Sequence, residues 1–328
     1  MHGSNMMSKF ARLIASAAIA AGLVVPAAAQ NYPSRNITVV VPLPAGGTAD
    51  ILARIAADKI RTGLNAQVVV ENRPGGVGGL VGTEAVWRSP PDGYTLLVAP
   101  QLTFSVSHLM FTKMNFDTRT FEPVSVIARY PVVLLAKLDA PYNTLPELIA
   151  YAKTNPGKVN YASQGKGQTG HLTMELINTL AGIQTTQVPY RGSAPAITDL
   201  LAGQVDVLAD YLLATKASVE GGKLKLLATG SRERLPEFPQ VATMNETLPG
   251  AFSDTWMGMV APPGTPAEII KKISDAINVG MKEKETSDRI KGLMAEPLGS
   301  SPDQMRELIA QSAKQWTPVI TTAKITVD

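Results

Sequence analysis

The groups in this chain best placed for chemistry are backbone amides in glycine loops. Pro44-Ala-Gly-Gly-Thr-Ala-Asp50 lies between a β-branched run, 37–41, and a stretch of helical apolar spacing, 51–60. A loop leading from strand to helix ends in N–H groups that have no intrahelical partner. Such groups carry partial positive charge and attract an anion such as a carboxylate. Gly46 and Gly47 would let that anion approach the main chain. The candidate contacts here are Ala45, Gly46, Gly47, Thr48 and Asp50. The same residues can be read as a plain turn with Asp50 as helix cap.

A second loop, Ser163-Gln-Gly-Lys-Gly-Gln-Thr169, precedes another helical stretch. Ser163 and Thr169 offer hydroxyls, and Gly165 and Gly167 expose amides, so it reads as an opposite jaw. Gly165 to Gly170 spells G-x-G-x-x-G. The acid a dinucleotide site needs about 20 residues on is missing. Lys166 reads as a solvated rim charge and His171 as a helix residue packed on its neighbour. Arg191-Gly-Ser193 follows a strand end. Arg191 suits a carboxylate by bidentate geometry, or makes a surface ion pair; the amides of Gly192 and Ser193 are stronger candidates. Asp210, expected just after a strand at 205–209, would repel an anion unless it meets a water, an amine or a hydroxyl; a structural role is the alternative. Gln101 and Thr103, after the strand 94–98, can line a pocket, and Phe104 can pack on an apolar ligand body or on the core. Asn72-Arg-Pro-Gly-Gly-Val-Gly-Gly79 reads as a second anion cradle or as a packing loop.

Other chemistries lack their residues. There is no cysteine, and His2 is one of only three histidines among 328 residues. Thiol nucleophiles, thiolate zinc sites and disulfides are excluded, and an imidazole-rich metal site is not expected. A secreted hydrolase would need a G-x-S-x-G elbow with a histidine downstream. Ser193 lacks the flanking glycines, and no histidine follows it. No catalytic residue, cofactor or metal is therefore expected. A net charge of +3 does not suit a polybasic nucleic-acid binder.

These loops must be positioned by alternating elements. Strand-like runs at 37–41, 67–71, 94–98, 132–136, 160–162, 186–190, 205–209, 225–229 and 256–260 alternate with glycine turns and helical stretches, which argues α/β with a mainly parallel sheet. Two α/β units are expected, 31–133 and 134–255. Helices at 267–283 and 302–322 follow, so 256–328 returns to the first unit. Strands near 130–136 and 256–260 would then cross between units as a two-strand hinge, the architecture of a solute trap.

The first thirty residues read as an address. Lys9 and Arg12 precede a largely apolar run, 13–25, then Pro26 and Ala27-Ala28-Ala29. This is the layout of a secretory signal cleaved before Gln30. The run falls short of the roughly 20 residues of a membrane span. Removing 1–29 lowers the net charge from +3 to +1. The mature chain is expected outside the cytoplasm.

From Tyr32 onward the chain resembles the periplasmic solute-binding proteins of the tripartite tricarboxylate transporters, the TctC-like or Bug family. The resemblance rests on a series in order: Tyr32-Pro33-x-Arg35-x-Ile37, Val41-Pro-x-Pro-Ala-Gly-Gly47-x-x-Asp50, Val70-Glu-Asn-Arg-Pro-Gly75 and Pro91-Asp-Gly-Tyr-Thr95. Ser163-x-Gly-x-Gly167 with His171-Leu172, Val188-Pro-Tyr-Arg-Gly-Ser-Ala-Pro195, Leu200-Leu-x-Gly-Gln-Val-Asp206, Trp256-x-Gly258 and Ala261-Pro-x-Gly-Thr-Pro266 complete it. The resemblance implies a two-lobed type II periplasmic binding protein fold. It implies a small organic carboxylate, a di- or tricarboxylate or an aromatic one, held by amides and waters from both lobes. Inner-membrane permease subunits would be the partners of a monomeric receptor; a ligand-sensing adaptor is the alternative. The 207–211 stretch departs from the family pattern near the expected pocket, which leaves the ligand's identity open.

Overall fold

The computed structural model describes residues 32–327. The expected export signal, 1–29, and its cleavage point lie outside them. In chain order the elements are β1 (Ile37–Val41), α1 (Thr48–Leu64), β2 (Val68–Asn72), α2 (Leu80–Trp87), β3 (Thr95–Pro100), α3 (Gln101–Ser105) and α4 (Ser107–Met110). Next come β4 (Glu122–Lys137), α5 (Leu145–Thr154), β5 (Asn160–Ser163), α6 (Thr169–Ala181), β6 (Thr186–Pro189), α7 (Ser193–Leu201), β7 (Val207–Tyr211), α8 (Leu212–Glu220) and β8 (Leu224–Thr229). The chain ends with α9 (Met244–Thr247), β9 (Asp254–Ala261), α10 (Ala267–Met281), α11 (Lys284–Gly292), β10 (Glu296–Pro297) and α12 (Pro302–Thr322).

The main path of the sheet runs β2-β1-β3-β9-β4-β7-β5-β6, with β8 and β10 also paired to β4. β1 is parallel to β2 and β3, and β5 is parallel to β6 and β7. β4 is one continuous strand of 16 residues. Its first part, to Pro131, pairs with β9; its second part, from Val132, pairs with β7 and β8. The strand therefore belongs to both halves of the sheet. Pro131 lies opposite Asp254 in register, and the Val132 amide donates to Ser253 O at 3.2 Å. The two crossings between the halves thus run side by side.

Strand alternation explains the packing of the second half. Val132, Leu134 and Ala136 face one core with Tyr161, Leu172 and Ala209, while Val133 and Leu135 face another with Ala162, Leu200 and Leu208. Each buried Val or Leu here contributes about 1.5–3 kcal/mol by leaving water. The first half has its own core around Val40, Leu97, Phe104, Val126 and Trp256. Phe104 stacks on Trp256 there, with centroids 6.2 Å apart. α12 joins the cores. Its early residue Met305 lies in the first, whereas Trp316, Val319 and Ile320 lie in the core that also holds Leu172.

Local signals account for several boundaries. Thr144 caps α5 by accepting from the Glu147 amide, and the Glu147 carboxylate turns back to the Asn143 amide at 2.6 Å. Ser301 and Gln304 form a full capping box at the start of α12, with Pro302 in its first turn. Two expectations are corrected. The helix expected at 267–283 ends two residues early, at Met281, and a further helix not expected from the sequence, α11, starts at Lys284, with Glu283 extended between them and held to Lys59 at 2.8 Å. Asp210 does not follow its strand; it lies within β7.

Candidate functional site

Strand order marks where a ligand site is expected. β1 lies between β2 and β3, so the connections from β1 and from β2 leave to opposite sides. β5 lies likewise between β6 and β7. At such a switch point a crevice opens beyond the carboxyl ends of the strands, which is where ligands bind open α/β sheets. The first switch point is bordered by the β1–α1 loop and the β3–α3 junction. The second is bordered by the β5–α6 loop and the β7–α8 junction, with the β6–α7 loop alongside. Every residue singled out in the sequence as a ligand contact falls on one of these segments or on the strand or helix end adjoining it.

At the first switch point, Ala45, Gly46 and Gly47 are exposed, and Gly47 caps α1 with backbone alone. Asp50 is buried at 4% exposure. Its carboxylate accepts from the Gly46 amide at 2.9 Å and meets the Arg54 guanidinium at 2.9 Å. Burial pushes its pKa up, but Arg54, the Gly46 amide and Asn72 together outweigh that and hold it below the ordinary value. The Gly46 amide is therefore spent inside the loop. Asn72 supports the same loop by donating to Leu43 O at 3.2 Å. Gly79 packs directly against the strand's exit: a Cβ there would stand 2.4 Å from Pro42 O. That close approach gives the 72–79 stretch a packing role.

The β3–α3 junction is tied inward. Gln101 is buried; its Nε2 donates to Asp254 O at 3.2 Å and its Oε1 accepts from Ser312 Oγ at 3.1 Å. Thr103 is buried in α3, with its carbonyl accepting from Ser107 Oγ at 2.7 Å.

At the second switch point, Gln164 joins three segments. Its Nε2 donates to Ala209 O at 2.9 Å, its Oε1 accepts from the Gly170 amide at 3.1 Å, and its carbonyl accepts from the Gly192 amide at 3.2 Å. Gly170 has no room for a side chain: a Cβ would lie 2.3 Å from Ala209 O. Close packing thus explains the last glycine of the G-x-G-x-x-G spelling. Ser163 is buried, and its Oγ accepts from Gln187 Nε2 at 2.9 Å. The Gly165 carbonyl accepts from the Gln168 amide at 3.2 Å, closing the loop. The Gly167 amide donates to His171 Nδ1 at 2.9 Å. His171 is therefore a neutral imidazole carrying its proton on Nε2; burial, helped by nearby Lys166, lowers its pKa to about 4. Lys166 and Arg191 are exposed on the rim.

Asp210 lies fully buried between these loops. Its Oδ1 accepts from Ser193 Oγ at 2.9 Å and from the Tyr211 amide at 2.7 Å, while Oδ2 has no hydrogen-bond partner. Burial raises its pKa, opposed in part by the Tyr211 amide, Gln164 and Ser193. Tyr211 OH donates to Thr169 Oγ1 at 3.2 Å, and its ring meets Tyr130 edge-on at 5.1 Å. Tyr211 thereby ties the start of α6 to the crossing strand. Tyr211 and Gln164 were not among the expected ligand contacts: Gln164 occupies a spacer position of the Ser163-x-Gly-x-Gly167 pattern, and Tyr211 ends a stretch without glycine.

Two cavities lie away from these loops. One of about 510 Å³ is lined by Thr144, Val219, Phe238 and Val241; one of about 330 Å³ is lined by Phe104, Arg119, Phe121 and Arg306. Neither is lined by a residue of the β1–α1, β5–α6 or β6–α7 loop. Among the described residues no cluster of three or more His, Asp or Glu is arranged to hold a metal.

Relatives fit this geometry. The family model described as "Tripartite tricarboxylate transporter family receptor" matches residues 52–325. Protein BugT of Bordetella pertussis is 33% identical over 98% of this chain and 98% of its own. A Rhodopseudomonas palustris protein solved with adipate superposes with TM-score 0.79 at 34% identity, covering 90% of this chain and 99% of that one. MatC from Rhodopseudomonas palustris, solved with bound malate, gives TM-score 0.76 at 30% identity over 88% of this chain and 100% of that one. The periplasmic binding protein BugD gives TM-score 0.75 at 34% identity over 90% and 99%. With the expected series of loops in place on a two-lobed α/β frame, the chain belongs to the TctC family of solute-binding receptors, which are binding proteins and not enzymes.

Proposed function

We propose that this receptor captures a small organic carboxylate in the periplasm and delivers it, as a monomer, to inner-membrane permease subunits of a tripartite transporter. A signal peptide cleaved after Ala29 would export it. The lobes would be 31–133 with 256–328, and 134–255, closing about the paired crossings. Amides of Ala45, Gly47 and Thr48 would hold the ligand from one side. The 163–167 loop, Arg191, Gly192 and Ser193 would hold it from the other, with Asp210 beneath. One observation carries the reading: each half of the sheet has a switch point that ends in an exposed or half-buried helix N-terminal loop, and paired strands join the halves. The adipate and malate carried by the two R. palustris relatives support a carboxylate.

Each charge-assisted hydrogen bond contributes on the order of 1.5–3 kcal/mol net. A few of them, less the cost of ordering the partners, support micromolar binding, about 8 kcal/mol. Closure follows because only the closed form makes both sets of contacts. Isothermal titration against a panel of di-, tri- and aromatic carboxylates that includes adipate and malate tests the reading, with small-angle scattering to follow shape. Saturable binding of a panel member with contraction is expected. Heat changes no larger than those of dilution across the panel would overturn it.

A further inference from the structure

The segment after α12 reaches the β5–α6 loop. Lys324 takes a left-handed conformation, φ 51°, and turns the chain off the helix. Ile325 and Val327 then join the core that holds Leu172 and Met110. The Val327 amide donates to Met110 O at 3.0 Å, so the segment runs beside the end of α4. Its side chain meets Gly167. A Cβ built on Gly167 would stand 2.6 Å from Val327 Cγ2 and 3.3 Å from Met110 Sδ. On the loop's other side the Gly167 amide is held by His171 Nδ1. Gly167 is thus fixed by α4, by α6 and by the C-terminal segment, far apart in sequence.

We propose that Val327, backed by Met110, is a positioning residue: a C-terminal strap that clamps Gly167 and so sets the shape of the β5–α6 loop for ligand. The inference rests on the reading of that loop as a jaw of the carboxylate site. α4 follows β3 and α3, the elements beside the first switch point, while Gly167 belongs to the second; the strap therefore couples the two. A loop fixed in advance does not have to be ordered when the ligand arrives, and affinity rises accordingly. Removing the Val327 side chain leaves space beside a glycine, the residue least able to hold its own conformation.

The test uses the full chain, with Val327→Ala, Met110→Ala and the conservative Val327→Ile. Hydrogen–deuterium exchange is followed in the peptide covering 164–171 and in peptides from β1 and β4. Titration with malate and with adipate runs alongside. Val327→Ala and Met110→Ala should each speed exchange at 164–171 at least fivefold, leave β1 and β4 unchanged, and weaken binding roughly tenfold. Val327→Ile should restore both. Unchanged exchange at 164–171 in both alanine variants would overturn the strap. So would equal acceleration in β1 and β4, which marks general loosening, or faster loop exchange with undiminished affinity. Should the parent bind neither acid, the carboxylate reading fails by itself, and loop exchange still decides whether the clamp exists.

Discussion

Asp210 accepts a hydrogen bond from Ser193 Oγ at 2.9 Å, and this single contact fastens the start of α7 to the end of β7. The acid that makes it is buried, and its second oxygen has no partner. The contact needs only an acceptor, so the negative charge is not required for it. Holding an unpaired charge out of water costs free energy.

The first prediction follows from that cost. Burial raises the Asp210 pKa in the folded state above its ordinary value. The proton is then bound more tightly by the folded form. Its contribution to stability is fully present below the ordinary value and is lost as pH rises through the raised one. Asp210→Asn keeps an acceptor for Ser193 and removes the titration. Melting temperatures of parent and variant should diverge in favour of Asn as pH goes from 4 to 8. A difference that stays constant across that range would sink the argument.

Asp50 carries the opposite sign. Burial works against its charged form, yet Arg54, the Gly46 amide and Asn72 prevail and its pKa falls. Its contribution is present above the ordinary carboxyl value and is lost as pH drops through the lowered one. Asp50→Ala removes the acceptor that pins Gly46 and leaves Arg54 alone. A destabilisation of about 1–2 kcal/mol is expected, the scale of a lost helix-terminal acceptor. Urea denaturation at pH 7 measures it, and a loss below a few tenths of a kcal/mol would mean that the loop holds its shape without Asp50.

Much of the frame was legible because its signals are local. The β-branched run 37–41 is β1, and α12 starts at residue 302 where expected. The continuity of β4 was not legible, since Pro131 divides its apolar runs and only pairing with β9 keeps the strand whole. The candidate loops were legible from glycine between strand and helix. Which of their amides are already engaged was not. Gly46 is used by Asp50 within one turn, but Gly192 is used by Gln164, and Val327 reaches Gly167. Contacts spanning such separations depend on how elements pack and leave no mark in local pattern.

His171 offers a direct readout of the second loop. Burial and the nearby Lys166 lower its pKa to about 4, and Nδ1 is free to accept from Gly167 only in the neutral ring. In the folded form the proton is bound less tightly than in the unfolded chain. Stability from this group is thus full above the ordinary value of 6.5 and declines as pH falls towards 4. An NMR titration of the His171 ring should give a midpoint near 4, and the 164–168 amides should lose protection over the same range. A midpoint at 6 or above would show a ring open to water and a loop held by something else.

The sharpest test of the first jaw is Gly47→Val. Gly47 is extended, φ −80° and ψ 170°, so a β-branched residue adopts its backbone without strain. A Cβ at this position would lie 3.8 Å from Pro44 O, an ordinary contact, so the added side chain points into open space beyond the loop. Valine at the cap of α1 should cost stability by about 1 kcal/mol or less, because glycine there makes no side-chain cap to lose. Binding should suffer far more, since a branched side chain beside the α1 amides keeps a carboxylate from reaching them. At least a tenfold weakening for the tightest carboxylate of the panel is expected by isothermal titration, which is about 1.4 kcal/mol or more. Thermal melting of the unliganded variant separates the two effects. Equal affinity in Gly47→Val and parent, with melting also unchanged, would place the ligand away from the β1–α1 loop and leave the second switch point to hold it alone.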